Sequence, residues 1–190
     1  MTMVKPEAQR TCTMRPSTEG FDYWMSSKHV GEATRREIAD ADILLVPKES
    51  FRDRTGTFYP VGTEEFLDFL RENAAHGGVK VDICSENAAY REFALHSDIL
   101  HLAYLLVKEV ALPLVAQLIV LYVSRHPWAS KTDRAVNLKI TVQESSEGEP
   151  SDHQAQGRTL EISYDGPPDA VKDALDGAAK NIREAWRPSR

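Results

Sequence analysis

Cysteine is nearly absent: Cys12 and Cys84 are the only two in 190 residues. One lies in a polar stretch and the other closes an apolar run, so neither a disulfide framework nor the paired spacing of a zinc site is available, and the expected setting is the reducing cytoplasm. Basic charge is also short, with 23 Lys and Arg against 29 Asp and Glu and a net charge of −6. That balance disfavours broad attraction to nucleic-acid phosphates or anionic lipid, and neither partner is expected. No Gly-x-Gly-x-x-Gly stretch or P-loop occurs, so no phosphate cradle and no cofactor is expected. His96 and His101 would fall about 140° apart on a helix, which fails the i, i+4 test for a shared metal ion, and no metal site is expected.

An uninterrupted apolar span is missing too. The run Ile99–Val123 has membrane-spanning length, but it contains His101, Lys108, Glu109, Pro113 and Gln117. Charges in mid-span cost about 3 kcal/mol each on insertion scales, so a buried or interfacial helix is expected rather than a membrane span. Residues 1–25 lack the apolar core of a secretory signal and are punctuated by prolines, and they read as a flexible leader.

What is present is the patterning of one α+β domain over residues 26–187, with an α/β arrangement open for its N-terminal half. Ser26–Ala39 reads as a short polar helix. Asp42–Val46 is a continuous apolar run ended by proline, the appearance of a strand buried on both faces. Val79, Val81 and Ile83 alternate with polar residues, as do Val136–Val142 and Leu160–Tyr164, which marks three half-buried strands. The first two strands, separated by a helix from Thr63 to about Ala74, predict a parallel βαβ pair, and the last two an antiparallel hairpin. Between the hairpin strands, residues 144–157 are acidic and nearly devoid of apolar side chains, and a mobile loop is expected. Asn87 to about His126 reads as one long apolar helix kinked at Pro113. A C-terminal amphipathic helix follows Gly166-Pro-Pro-Asp169.

Three groups of residues attract functional attention. Residues 48–62 form a predicted loop of mixed charge beside Asp42, and Asp42, Lys48 and Glu49 are residue types found at magnesium sites. Arg91, Asp98, His101, Lys108 and Glu109 would share one stripe of the long helix, where His101 beside carboxylates suits acid–base work. Thr63, with Glu64 and Glu65 behind it, is a helix cap with acids placed for the dipole.

The stretch Ala41-Asp-Ile-Leu-Leu-Val-Pro47, Gly62-Thr-Glu-Glu-Phe66 and Val79-Lys-Val-Asp-Ile83 resembles the nucleoside deoxyribosyltransferase family over residues 41–83. The resemblance implies a glutamate nucleophile that attacks the sugar carbon bearing the base, a role that would fall to Glu64 or Glu65.

The functional expectation that carries most weight is different. A helix apolar over most of its circumference must be covered on nearly every side, and the residues outside it are few. A non-enzymatic interaction or regulatory protein is therefore expected, a homo-oligomer, most economically a dimer, with Leu114, Leu118 and Leu121 at the interface and a further protein partner open.

Overall fold

The computed structural model describes residues 11–27, 30–51, 54–85, 90–93, 99–126, 135–144 and 158–186. In chain order these form β1 (Thr11–Pro16), α1 (Phe21–Met25), α2 (Glu32–Ile38), β2 (Ile43–Val46), β3 (Lys48–Phe51), β4 (Arg54–Pro60) and α3 (Thr63–Ala74). They continue with β5 (Val81–Ile83), β6 (Glu92–Phe93), β7 (Ile99–His101), β8 (Tyr104–Lys108), α4 (Leu112–Arg125), β9 (Ala135–Gln143), β10 (Thr159–Gly166) and α5 (Val171–Ala185). The α+β class holds, and so do the parallel β2–β5 pair and the antiparallel β9–β10 hairpin.

The main sheet runs β1-β10-β9-β8-β2-β5, and β7 pairs with β9 in line with β8. A small second sheet has the order β3-β4-β6. One face of the main sheet carries α3, α4 and α5. Their apolar stripes, including Phe66, Leu70, Val115, Ile119, Leu175 and Ile182, close over Ile43, Leu45, Leu105, Val107, Leu138, Ile140 and Ile162. Side chains this deeply buried contribute about 1.5–3 kcal/mol each, which makes this layer the main source of stability. On the other face α1 and α2 cover half the sheet only, packing Phe21, Trp24 and Ile38 on Leu44, Val46, Leu106 and Cys84.

Four expectations are corrected. The long kinked helix is two strands and a shorter helix: Ile99–His101 and Tyr104–Lys108 are extended, and the helix begins at Leu112. A fully apolar run such as Tyr104-Leu-Leu-Val-Lys108 has no period that separates a buried strand from a buried helix. Pro113 lies in the first turn of α4, where its missing N–H breaks no bond, and so it starts the helix rather than kinking it. The stripe of Arg91, His101, Lys108 and Glu109 therefore does not exist on any helix, and Asp98 lies outside the described residues.

Second, the leader is structured from Thr11 onward. Residues Thr11–Pro16 pair antiparallel with Asp165–Leu160, and Phe21 and Trp24 are buried. Third, the 48–62 loop is largely a hairpin, β3 against β4, favoured by the β-branched and aromatic residues Thr55, Thr57, Phe58 and Tyr59. Fourth, Thr63 does not cap α3. Gly62, at φ 88°, holds the cap position, and the Thr63 hydroxyl donates 2.6 Å to the Pro60 carbonyl. The expected mobile loop falls on residues 145–157, outside the described ones, apart from its first residue Glu144.

Candidate functional site

Strict alternation on β9 and β10 sends Val136, Leu138, Ile140, Ile162 and Tyr164 into the core and turns Asn137, Lys139, Thr141, Glu161, Ser163 and Asp165 to the opposite face. The apolar side chains of α1 and α2 pack on the other half of the sheet, while the Phe21 N–H at the start of α1 donates 2.7 Å to Gln143 at the end of β9, and the result is a polar platform. On β1, Thr11, Thr13 and Arg15 continue it, because Arg15 stands beside Glu161 and Thr13 beside Ser163.

His101 and Tyr104 join from the other side through a slip in register. β7 pairs with β9 at Ile99↔Ala135, whereas β8 pairs at Leu105↔Ile140, so one extra residue is accommodated around Leu102 and Ala103. Three residues apart, His101 and Tyr104 would face opposite ways on a regular strand. The extra residue lets both reach the polar face.

The platform holds two linked groups. Glu161, with its side chain 4% exposed, receives Lys139 Nζ at 2.7 Å and Arg15 Nη2 at 2.7 Å, and Ser163 Oγ donates to it at 3.2 Å. Lys139 also reaches Glu19 at 3.5 Å and lies 5.3 Å above the Tyr104 ring. Burial opposes ionisation of Glu161, yet the ammonium and guanidinium beside it hold its carboxyl below the ordinary value. Lys139 is the mirror case: burial pulls it down, but Glu161 and Glu19 leave it raised. The pair stays ionised because each charge answers the other.

The second group is a relay. His101 hydrogen bonds to the Asn137 side chain, and Asn137 Nδ2 donates 3.2 Å to Asp165 Oδ2. Burial depresses the imidazole, the Asn137 bond and the Asp165 charge push it back up, Lys48 pushes it down again, and the net direction is lowered. The ring is neutral at physiological pH and connected through one amide to a carboxylate.

The other candidates lie elsewhere. Glu64 and Glu65 are exposed in the first turn of α3. Glu64 is near Tyr90, whose ring stacks on Tyr59 at 5.1 Å, and the Tyr59 hydroxyl donates 2.8 Å to the Cys84 carbonyl. Cys84 itself is buried, and burial followed by the Glu49 charge lifts its thiol to about 12, which leaves it without nucleophilic thiolate at neutral pH. Asp42, Lys48 and Glu49 do not converge. Asp42 takes Lys108 at 3.1 Å and the Lys80 N–H at 3.0 Å, while Glu49 takes the Tyr23 hydroxyl at 2.9 Å. Among the described residues no group of three His, Cys, Asp or Glu could hold a metal ion. No helix among them is long and apolar enough to cross a membrane.

The chain matches no family model, no curated protein and no solved structure. Its chemistry must be read from the geometry. An open cleft of about 1080 Å³ lies between residues 16–27 and the ends of β9, β10 and α5, lined by Asp22, Tyr23, Glu49, Arg158 and Trp186 among others. Among the described residues that line it the cation is Arg158, which grips Glu144 at 2.6 Å and donates to the Ala185 and Trp186 carbonyls at the end of α5.

The leucines expected at an interface divide. Leu118 is buried at 6% exposure, while Leu114 and Leu121 are half-buried on the outer side of α4. The exposed large apolar side chains among the described residues are Tyr23, Val61 and Val110, none on α4. Sequence reasoning missed Asn137, Lys139, Glu161 and Asp165. Their signal was the polar phase of the two alternating strands, which reads as solvent-facing unless the neighbouring strands are known.

Proposed function

We propose that this chain is a non-enzymatic interaction or regulatory protein that self-associates. The observation that carries the reading is the closure of the polar platform on itself. Glu161 is held by two cations, Lys139 by two carboxylates, and His101 is tied through Asn137 to Asp165. Groups bound in this way specify how β1, β9 and β10 sit together, whereas a catalytic acid, base or nucleophile must be free to exchange its proton or partner during a cycle. Of the leucines expected at an interface, Leu118 belongs to the core and Leu114 and Leu121 are half-buried, so α4 presents no exposed large apolar side chain to a partner. Sedimentation at micromolar concentration should give a mass above the 21.3 kDa of one chain. A single species at that mass would overturn the reading.

A second reading rests on a separate observation, the stacked Tyr59–Tyr90 pair beside Glu64. An aromatic platform next to an exposed carboxylate suits a small enzyme acting on the N-glycosidic bond of a nucleoside or nucleotide. Glu64 or Glu65 would attack the sugar carbon as its bond to the base breaks, and water would then release the sugar. Release of free base from added nucleosides, abolished in Glu64→Gln or Glu65→Gln, would establish it in place of the first.

A further inference from the structure

We infer that the outer edge of β1 is the self-association surface, and that a second copy of this chain pairs with it antiparallel across a two-fold axis at Thr13, joining two main sheets into one. The inference rests on the self-association reading above and assigns its surface.

The backbone of β1 decides which groups are available. The Ser17 N–H donates 3.0 Å to the Thr159 carbonyl, and Ser17 stands opposite Thr159 in the register that pairs Pro16 with Leu160. Hydrogen-bonded and non-hydrogen-bonded pairs alternate along an antiparallel ladder, so Arg15, Thr13 and Thr11 exchange bonds with β10 while Cys12, Met14 and Pro16 turn their backbone groups outward. Pro16, which has no N–H, thus sits where the ladder to β10 needs none. Two N–H groups, of Cys12 and Met14, and the carbonyls beside them point away from the sheet. Among the described residues nothing pairs with them.

The two edges of the sheet differ in how they are protected. At the far edge β5 is only three residues long, the Arg71 side chain crosses it to donate 3.3 Å to the Val81 carbonyl, and the same guanidinium holds Asp82 at 2.8 Å. A short, charged strand with its backbone acceptor occupied resists pairing. β1 is twice as long, with six residues, and is exposed at every position except Met14.

Its side chains suit a copy of themselves. With the axis at Thr13, Cys12 pairs with Met14 of the second copy and Met14 with its Cys12, so all four outward N–H groups of the two strands find carbonyls. Thr13 faces Thr13, a favourable β-branched pair, and Arg15 faces Thr11. An axis at Met14 would also satisfy four N–H groups, but it would set the proline ring of Pro16 opposite Cys12 on each side, in a paired position where proline supplies no donor. The electrostatics agree. The molecule carries a net charge of −6, yet β1 contains no carboxylate, and its single charge, Arg15, is already neutralised 2.7 Å away by Glu161. An acidic protein can meet its copy here without opposing like charges.

The test is a cysteine at the axis. Thr13 residues facing each other in a non-hydrogen-bonded pair have Cα atoms about 4.5 Å apart, within disulfide range. Thr13→Cys in a Cys12→Ser background should therefore form a disulfide-linked dimer under mild oxidation, and Leu114→Cys in the same background should not; the buried Cys84 does not compete. Met14→Pro deletes an outward donor while sparing the bonds to β10, and should dissociate the unmodified dimer with its circular dichroism preserved. A monomer by sedimentation overturns both this assignment and the self-association reading. A dimer that cross-links at Leu114→Cys and not at Thr13→Cys overturns the β1 assignment alone.

Discussion

His101 shows how closely a single residue's behaviour depends on neighbours distant in sequence. Its imidazole is lowered from 6.5 by burial, opposed by the Asn137 bond and the Asp165 charge, and lowered again by Lys48. Asp165→Asn removes one of the two influences that support the charged ring, so the titration of the His101 Cε1 proton should move to lower pH; Lys48→Met should move it upward. An unchanged titration in Asp165→Asn would mean that the Asp165 charge does not act on the ring. Because the folded value lies below the unfolded one, the unfolded chain binds more protons between them, and His101 costs stability as the pH falls through that interval. None of this was legible locally. Residues 101, 137 and 165 meet only because β7, β9 and β10 place them in adjacent register, and on the helix expected for residues 87–126 His101 would have faced other partners.

At the scale of elements, the helix α4 separates a core position from two peripheral ones. Leu118 is packed among α3, α5 and the sheet, so Leu118→Asp should cost about 4 kcal/mol or more through lost burial and a buried charge, and unfold much of the population. Leu114→Asp and Leu121→Asp, at half-buried sites, should each cost about 1 kcal/mol. Denaturant midpoints measure the difference, and equal losses at all three positions would contradict the packing described. The elements that could be read in advance share a physical cause. β9 and β10 have one buried and one polar face, α5 has a strong apolar stripe, and α3 is bounded by Gly62 and Gly78, both at positive φ. The elements that could not be read lack such a signature. β1, Thr-Cys-Thr-Met-Arg-Pro, alternates over only six residues, has no large β-branched or aromatic side chain and is exposed except at Met14, and it is a strand because β10 offers it an edge. The polar half of the sheet was hidden in the same way: the phase of β9 and β10 was plain, but whether their polar side faced water or other polar strands depended on β1 and β7.

For the whole molecule, the Glu161 group ties the N-terminal strand to the C-terminal hairpin, so its ionisation should govern global stability. Glu161 and Asp42 are both lowered from ordinary carboxylate values against the effect of burial, Glu161 by Lys139 and Arg15, and Asp42 by the Lys80 backbone N–H and then the Lys108 ammonium. Such groups contribute stability that is present above their unfolded values and is lost as the pH falls through the folded ones, so acid should weaken the fold below about pH 4.5. Lys139, raised above 10.5, contributes below that value and loses its contribution as the pH climbs past it. With His101 adding its own cost below 6.5, the stability maximum should lie between about pH 7 and 10. Glu161→Gln tests where the acid limb comes from. At pH 7 the substitution removes a buried acceptor that serves two cations and should cost about 2–3 kcal/mol. At pH 3 the carboxyl is protonated in the unfolded chain, so part of what its ionised form contributes to the fold is lost and the gap between the two proteins should narrow. Urea denaturation at the two pH values gives both numbers, and a gap that is equally wide at pH 3 would show that Glu161 matters for its shape and packing rather than for the charge it shares with Lys139 and Arg15.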